Sequence, residues 1–262
     1  VREGDVVAVG VSGSFPAINI CVYAALEAVG ARPIIITSAA ASQWGANIPQ
    51  LLWLDMERIL HDAGLIAFRS VATSMGGVED RGLGMEMAGR ELLREGMRRS
   101  GLPIIDAATF TESIDRRMEI YRQQAGHRPI RAYINVGGGT TSVGTRVGKE
   151  LFEPGLNLSL PAGADAVDSV MARFSRDGVP VIHLTQIQQL ARRYDFPQRP
   201  EVMPEVGMGS IYYREAYNPW LAAAVLGGIL LTLYALMHTE LVYRILQSPR
   251  HARPNAPREP MV

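Results

Sequence analysis

The sequence predicts an α/β protein: a doubly wound, mostly parallel, Rossmann-like sheet followed by one C-terminal transmembrane helix. Three observations lead there. Short apolar runs alternate with helical patterns of ten or more residues, as parallel βαβ units require. Small, hydroxyl- or glycine-rich loops follow three of those runs, at residues 10–14, 38–47 and 137–144. An uncharged apolar stretch, 219–237, stands apart near the end of the chain.

The first strand is the run Val6, Val7, Ala8, Val9, and the turn Gly10, Val11, Ser12, Gly13, Ser14 follows it. A helix opens near Pro16, whose missing N–H has no intrahelical partner in a first turn. Ser12, Ser14 and the free N–H groups of the turn then converge at the positive end of the helix dipole, which favours an anion. Gly30 stops this helix, and residues 34–37 form the second strand. The loop 38–47 holds Ser42, Gln43, Trp44, Gly45 and Asn47. Leu51, Leu52, Leu54, Ile59 and Leu60 recur at a helical period, so 49–63 reads as a helix that Gly64 ends. Residues 65–71 read as a third strand, 72–84 as a glycine-rich loop with Glu79, Asp80 and Arg81, and 86–100 as an amphipathic helix. A short strand at 103–105, a helix at 109–124 and a strand at 130–136 lead into Gly137-Gly138-Gly139-Thr140. Residues 149–161 look irregular, 164–174 helical, 179–183 extended and 185–194 helical.

From 195 to 218 the texture changes to Pro197, Pro200, Pro204, Gly207 and Gly209 without periodicity, a linker or surface wrap. The organisation expected is therefore an α/β domain at 1–194, a linker at 195–218, a membrane helix at 219–243 and a disordered tail at 244–262. At ~1.5 Å per residue the apolar stretch spans roughly 28 Å, close to a bilayer's hydrocarbon core. Trp220 at one end, with Tyr243 and Arg244 beyond the other, resemble interface anchors. Arg244, Arg250, Arg253 and Arg258 follow the span and Arg199 and Arg214 precede it, so the positive-inside rule favours an extracytoplasmic α/β domain on a single-pass protein.

Composition bounds the partners. Cations and anions balance at 26 each, which argues against a general nucleic-acid binder. The single cysteine, Cys21, excludes an intrachain disulfide and a cysteine-clustered metal site, and its place on the first helix reads as a buried inner face. The chain begins at Val1 almost on a strand, so the natural protein is expected to extend further at its N-terminus.

Nucleotide and hydrolase signatures fail on single residues. A P-loop around Gly148-Lys149 has Val143 for its first glycine and Glu150 for its Ser/Thr. Ser142 replaces the third Rossmann glycine, and Ser14 replaces the last glycine of a nucleophile elbow at Ser12. Ser12 remains the candidate catalytic nucleophile, with His61, His127 and His183 as candidate bases in no recognisable motif; the alternative is a turn residue or anion ligand. Asp55 and Glu57 lie two apart on a helix and do not share a face; Asp55 faces the cleft or is surface charge. Asp80-Arg81 clamps a ligand or forms a solvated ion pair. No metal-ligand spacing occurs and no cofactor is indicated. In an open parallel sheet ligands gather beyond the strands' carboxyl ends. The candidate ligand-binding set is therefore Ser12, Gly13, Ser14, Ser42, Trp44, Asn47, Asp55, Gly137, Gly138, Gly139 and Thr140, suited to carboxylate or phosphate oxygens.

The blocks GDVVAVGVSGSFPAIN, SQWGAN, LLWLDMER and INVGGGTTSVG, in that order, resemble the poly-γ-glutamate system protein family over about residues 3–195. The resemblance implies a membrane-associated accessory protein, with poly-γ-glutamate synthase subunits as partners in capsule biosynthesis, and it carries over no catalytic residues. Three readings follow: an anion-binding accessory protein; an enzyme, either a γ-glutamyl hydrolase or transferase or a phosphate- or nucleotide-binding enzyme; or a scaffold for the synthase.

Overall fold

Strand β1 (Val6–Ser12) places Val6 and Ala8 on one face and Val7, Val9 and Val11 on the other, all buried. A strand covered on both faces needs a continuous apolar run, as β1 has. The computed structural model describes residues 1–144, 146–198, 202, 205–208, 212 and 216–238. In chain order β1 is followed by α1 (Pro16–Val29), β2 (Arg32–Ser38), β3 (Asn47–Ile48), β4 (Leu51–Leu52), α2 (Trp53–Asp62), β5 (Ala72–Ser74), α3 (Met87–Arg99) and β6 (Ile104–Ile105). Then come α4 (Phe110–Ala125), β7 (Ile130–Val136), α5 (Thr140–Val143), α6 (Arg146–Leu151), β8 (Gly155–Asn157), a 3-10 turn (Ala164–Ala166), α7 (Val170–Arg176), β9 (Val181–Leu184), α8 (Ile187–Arg193) and α9 (Pro219–His238).

Seven strands form one sheet in the order β6-β5-β2-β1-β7-β9-β8, parallel except for β8 at its edge. The chain starts at β1, winds outward through β2, β5 and β6, then returns to the other side of β1 with β7 and β9. That reversal makes the gap between β1 and β7 a topological switch point. Val22, Tyr23 and Leu26 of α1 and Trp53 of α2 pack with the Val7–Val9–Val11 face; Ile114, Met118 and Tyr121 of α4 and Val170 and Met171 of α7 pack with the Val6–Ala8 face. Helices on both faces give the doubly wound α/β architecture expected. The chain divides into two compact units, Val1–Gln198 and Arg199–Val262. In the second, α9 is long and apolar enough to cross a membrane, and none of it is buried. The remainder of the expected span, 239–243, and the tail from 244 lie outside the described residues, as do Tyr243 and all six arginines used to orient it.

Several expectations are corrected. The third strand is Ala72–Ser74, and 65–71 is not a strand. Glu57 explains the delay: its Oε1 accepts from both the N–H (3.1 Å) and the hydroxyl (2.7 Å) of Ser70, so that N–H goes to a side chain instead of a neighbouring strand. Tyr23 also donates to Glu57, and Thr37 Oγ1 lies 2.6 Å from Ser70 Oγ, giving one buried polar chain. The helix expected at 49–63 starts only at Trp53, because β3 and β4 form a small hairpin around Pro49, which disfavours helix at Ile48. Residues 149–161 contain all of β8 and part of α6, and 164–174 breaks into a 3-10 turn and a helix that Ser169 caps through Ala172 N (3.1 Å). Cys21 is exposed, because the buried stripe of α1 is Asn19, Val22, Tyr23 and Leu26.

His183 gives a pH test of this core. It is buried in β9, and its Nδ1 lies 3.0 Å from Asn135 Nδ2 on β7. Burial holds its pKa down to about 4, against 6.5 for the free group. The stability this confers is complete above pH ~6.5 and falls, by on the order of 3 kcal/mol, as pH drops toward 4. Glu57 acts in the opposite sense: burial raises its pKa against the bonds from Tyr23 and Ser70, so its contribution is lost as pH rises. Denaturant unfolding at pH 7 and 4.5 is expected to show a larger loss in the parent than in His183→Asn. Equal losses would remove His183 from this account.

Candidate functional site

At the switch point four loops meet and enclose a cleft of about 400 Å3. The turn after β1 is closed by Phe15 N–H donating to Ser12 O (3.2 Å) and by Asn19 Nδ2 donating to the same carbonyl (2.9 Å). Ser14 N–H donates to Ser12 Oγ at 3.2 Å, which orients that hydroxyl within the turn. The 38–47 loop is bound to this turn by backbone: Gly13 N–H to Ser38 O (3.1 Å) and Ala46 N–H to Gly13 O (2.8 Å). Ser42 N–H adds a bond to Ser14 Oγ at 2.9 Å. The loop after β5 is clipped to the triple-glycine loop by Thr140, whose Oγ1 accepts from Glu79 N (3.0 Å) and donates to Gly77 O (3.1 Å).

Two glycines make this interlock feasible. A Cβ on Gly13 would sit 3.0 Å from Ala39 O and 3.1 Å from Ala40 O. One on Gly45 would sit 2.6 Å from both Gly13 O and Ser14 Cα. Gly13 thus lets two protein loops approach each other, and it is not among the residues lining the cleft. Gly137 has φ +92 and lies against the Phe15 ring, a backbone requirement of the turn.

Ser12, Ser14, Ser42, Gly138, Gly139 and Thr140 line the cleft together, as expected from the sequence. Ser38, Thr141, Ser142 and Lys149 join them. Lys149 is the single lysine among 26 basic residues of the chain. A Cβ on Gly138 would meet its Cε at 3.7 Å and its Nζ at 3.9 Å, so the ammonium lies over the triple-glycine loop. No Asp or Glu side chain is among the described residues lining this cleft. The α1 N-terminus adjoins the same rim and adds positive potential. Hydroxyls, exposed loop backbone and one ammonium, with no carboxylate, are a donor set of the kind that complements carboxylate or phosphate oxygens.

Other expected site residues lie elsewhere. Trp44 is 89% exposed and lines no wall of the cleft. Asn47 is exposed and donates to Gln43 O (2.8 Å) within its own loop. Asp55 is buried at the start of α2, accepting from Leu52 N (3.0 Å) and held by Arg99 through Nε (2.9 Å) and Nη2 (2.7 Å). Burial pushes its pKa up, but the Arg99 and Leu52 bonds outweigh that and keep it low. Asp80 neither clamps a ligand with Arg81 nor forms a solvated pair with it. It is buried and accepts from Ser74 Oγ (2.7 Å), Gly76 N (2.8 Å), Ser113 Oγ (2.5 Å) and Arg117 Nη2 (2.9 Å). Arg81 instead faces Glu79 at 3.7 Å.

None of His61, His127 and His183 lines the cleft, so Ser12 has no histidine base there. Among the described residues no group of three His, Cys, Asp or Glu is placed to hold a metal ion. No family model, no curated protein and no solved structure matches this chain.

Proposed function

We propose that the chain is a membrane-tethered accessory protein of poly-γ-glutamate synthesis or export whose switch-point cleft binds a carboxylate- or phosphate-bearing ligand. The observation that carries the ligand class is the placement of Lys149 and the cleft hydroxyls at the switch point, in a wall free of carboxylates. The poly-γ-glutamate assignment is supported by the four sequence blocks, three of which supply residues to that cleft, and the tether by α9. Partner subunits would be the ligase and membrane components of the synthase, and the domain would lie on the extracytoplasmic side. Deletion of the gene in its host is expected to change polymer yield, chain length or surface attachment. No change in any of the three would sink the assignment. Truncation before Pro219 is expected to release a soluble domain; a truncated chain that still pellets with membranes would move the anchor elsewhere.

The competing reading is a γ-glutamyl hydrolase or transferase with Ser12 as nucleophile. It is favoured by one observation: Lys149, a side chain able to act as base when neutral, lines the same cleft. Incubation with γ-glutamyl polymer separates the two readings. Turnover abolished by Ser12→Ala supports the enzyme, and binding without turnover supports the accessory protein.

A further inference from the structure

A second cavity, about 670 Å3, opens on the same strand-end rim beyond β5 and β6, with the 76–85 loop between it and the switch-point cleft. Its wall is α3. Arg90, Arg94 and Arg98 recur every fourth residue there, so they share one face with Cα atoms rising about 6 Å from one to the next. Arg81 of the loop completes a set of four guanidinium groups around the opening.

The charge balance of this groove is incomplete. Arg94 and Arg98 share the one carboxylate of Glu91, at 3.2 and 2.6 Å. Arg90 has no ion pair among the described residues, and its Nε is buried without a hydrogen-bond partner. Its stem is packed over Gly82, where a Cβ would lie 3.2 Å from Arg90 Cγ, so the guanidinium is held at the groove. Of the three lining carboxylates, Asp80 is engaged by Arg117 and Glu112 by Arg116, which leaves the exposed Asp106 against four guanidinium groups. The floor is apolar, with Met97 and Ile105 buried within it.

We propose that this groove is a second binding site, which takes a segment of a polycarboxylate chain. Guanidinium groups spaced along one helix face pair with successive carboxylates in forked geometry, and the apolar floor takes the methylene groups between them. A nucleic acid fits less well, because no aromatic side chain lines the groove for bases to stack on. The inference does not depend on what the switch-point cleft holds.

The test is fluorescence anisotropy of the full chain in detergent with a labelled hexaglutamate, with free glutamate and a single-stranded oligonucleotide as competitors. Hexaglutamate is expected to bind more weakly as salt rises, and to be displaced poorly by either competitor. Arg90→Gln is expected to weaken binding about 10-fold, and the Arg90→Gln/Arg94→Gln/Arg98→Gln variant about 30-fold or more. Arg122→Gln, an exposed arginine of α4 that lines neither cavity, should change it by less than about 2-fold. Arg98→Gln alone keeps the test open if the triple variant loses its fold; its side chain is 58% exposed, and a drop of about 3-fold is expected. Unchanged binding in the arginine variants, or displacement by free glutamate or oligonucleotide as effective as by the hexamer itself, would overturn the proposal.

Discussion

Arg117→Met is expected to destabilise the α/β domain by about 3–5 kcal/mol, the usual cost of stranding one charge of a buried pair. Asp80 and Arg117 side chains are each only 3% exposed, so methionine would leave the carboxylate without its cation. Arg117 also donates to Ser74 Oγ and reaches Ser38 Oγ at 3.4 Å, which ties the ends of β2 and β5 to α4. Asp80 sits with Glu79 in left-handed backbone, φ 59 and 53, which non-glycine residues hold only when neighbouring bonds fix them. The same loop forms the Gly76–Gly77 side of the cleft, so loss of the pair should loosen the site as well as the core. In thermal unfolding the drop should be roughly 6–20 °C for a domain of this size. Replacing Asp80 with leucine as well should recover part of the loss, since no unpaired charge remains. A single variant within about 1 kcal/mol of the parent would mean the pair is not the knot described here.

Gly45→Val is expected to abolish ligand binding at the switch-point cleft although no atom of residue 45 lines it. The added side chain would run into Gly13 O and Ser14 Cα and push the 38–47 loop away from the β1 turn. Ser42 N–H would then lose Ser14 Oγ, and Ala46 N–H would lose Gly13 O. Loss of two such bonds at the site corresponds to a weakening of about 10- to 100-fold, before any loss of direct contacts to ligand is counted. Ser12→Ala, which removes one hydroxyl and leaves the loops interlocked, should do less. Calorimetry with phosphate and with short γ-glutamyl oligomers gives the comparison. Equal affinity in Gly45→Val and parent would show that the interlock does not shape the site.

The β1-turn-α1 unit was legible because burial on both faces demands an apolar run and the helix start demands small residues and Pro16. The αL cap at Gly30, φ 69, was legible for the same local reason. Ser12, Ser14, Ser42, Gly138 and Gly139 were found because short loops at strand ends stand out by composition. Asp80 and Arg117 were not paired by any local rule: 37 residues separate them, and only the folded sheet brings α4 over the β5 end. The sequence reads Ser70 as part of a strand because its competing partner, Glu57, comes from another element. Proximity in sequence places Asp55 and Trp44 near the rim, but Asp55 pairs with Arg99 and Trp44 is exposed to solvent. Lys149 opens the stretch 149–161, which has no clear period, yet its rarity is visible in the composition: one lysine beside 25 arginines.

That rarity supplies the most direct test of the central claim, that the switch-point cleft holds an anion beneath Lys149. The full chain is treated with an amine-acylating reagent, and modification of Lys149 is followed by mass spectrometry with and without phosphate or short γ-glutamyl oligomers. Exposed Cys21, alkylated in parallel, reports any general change in reactivity. With ligand at ~10 times its Kd, acylation of Lys149 should slow about 10-fold while Cys21 alkylation is unchanged. Lys149 reacting at the same rate when calorimetry shows the ligand bound, or neither class of ligand binding at all, would contradict the account.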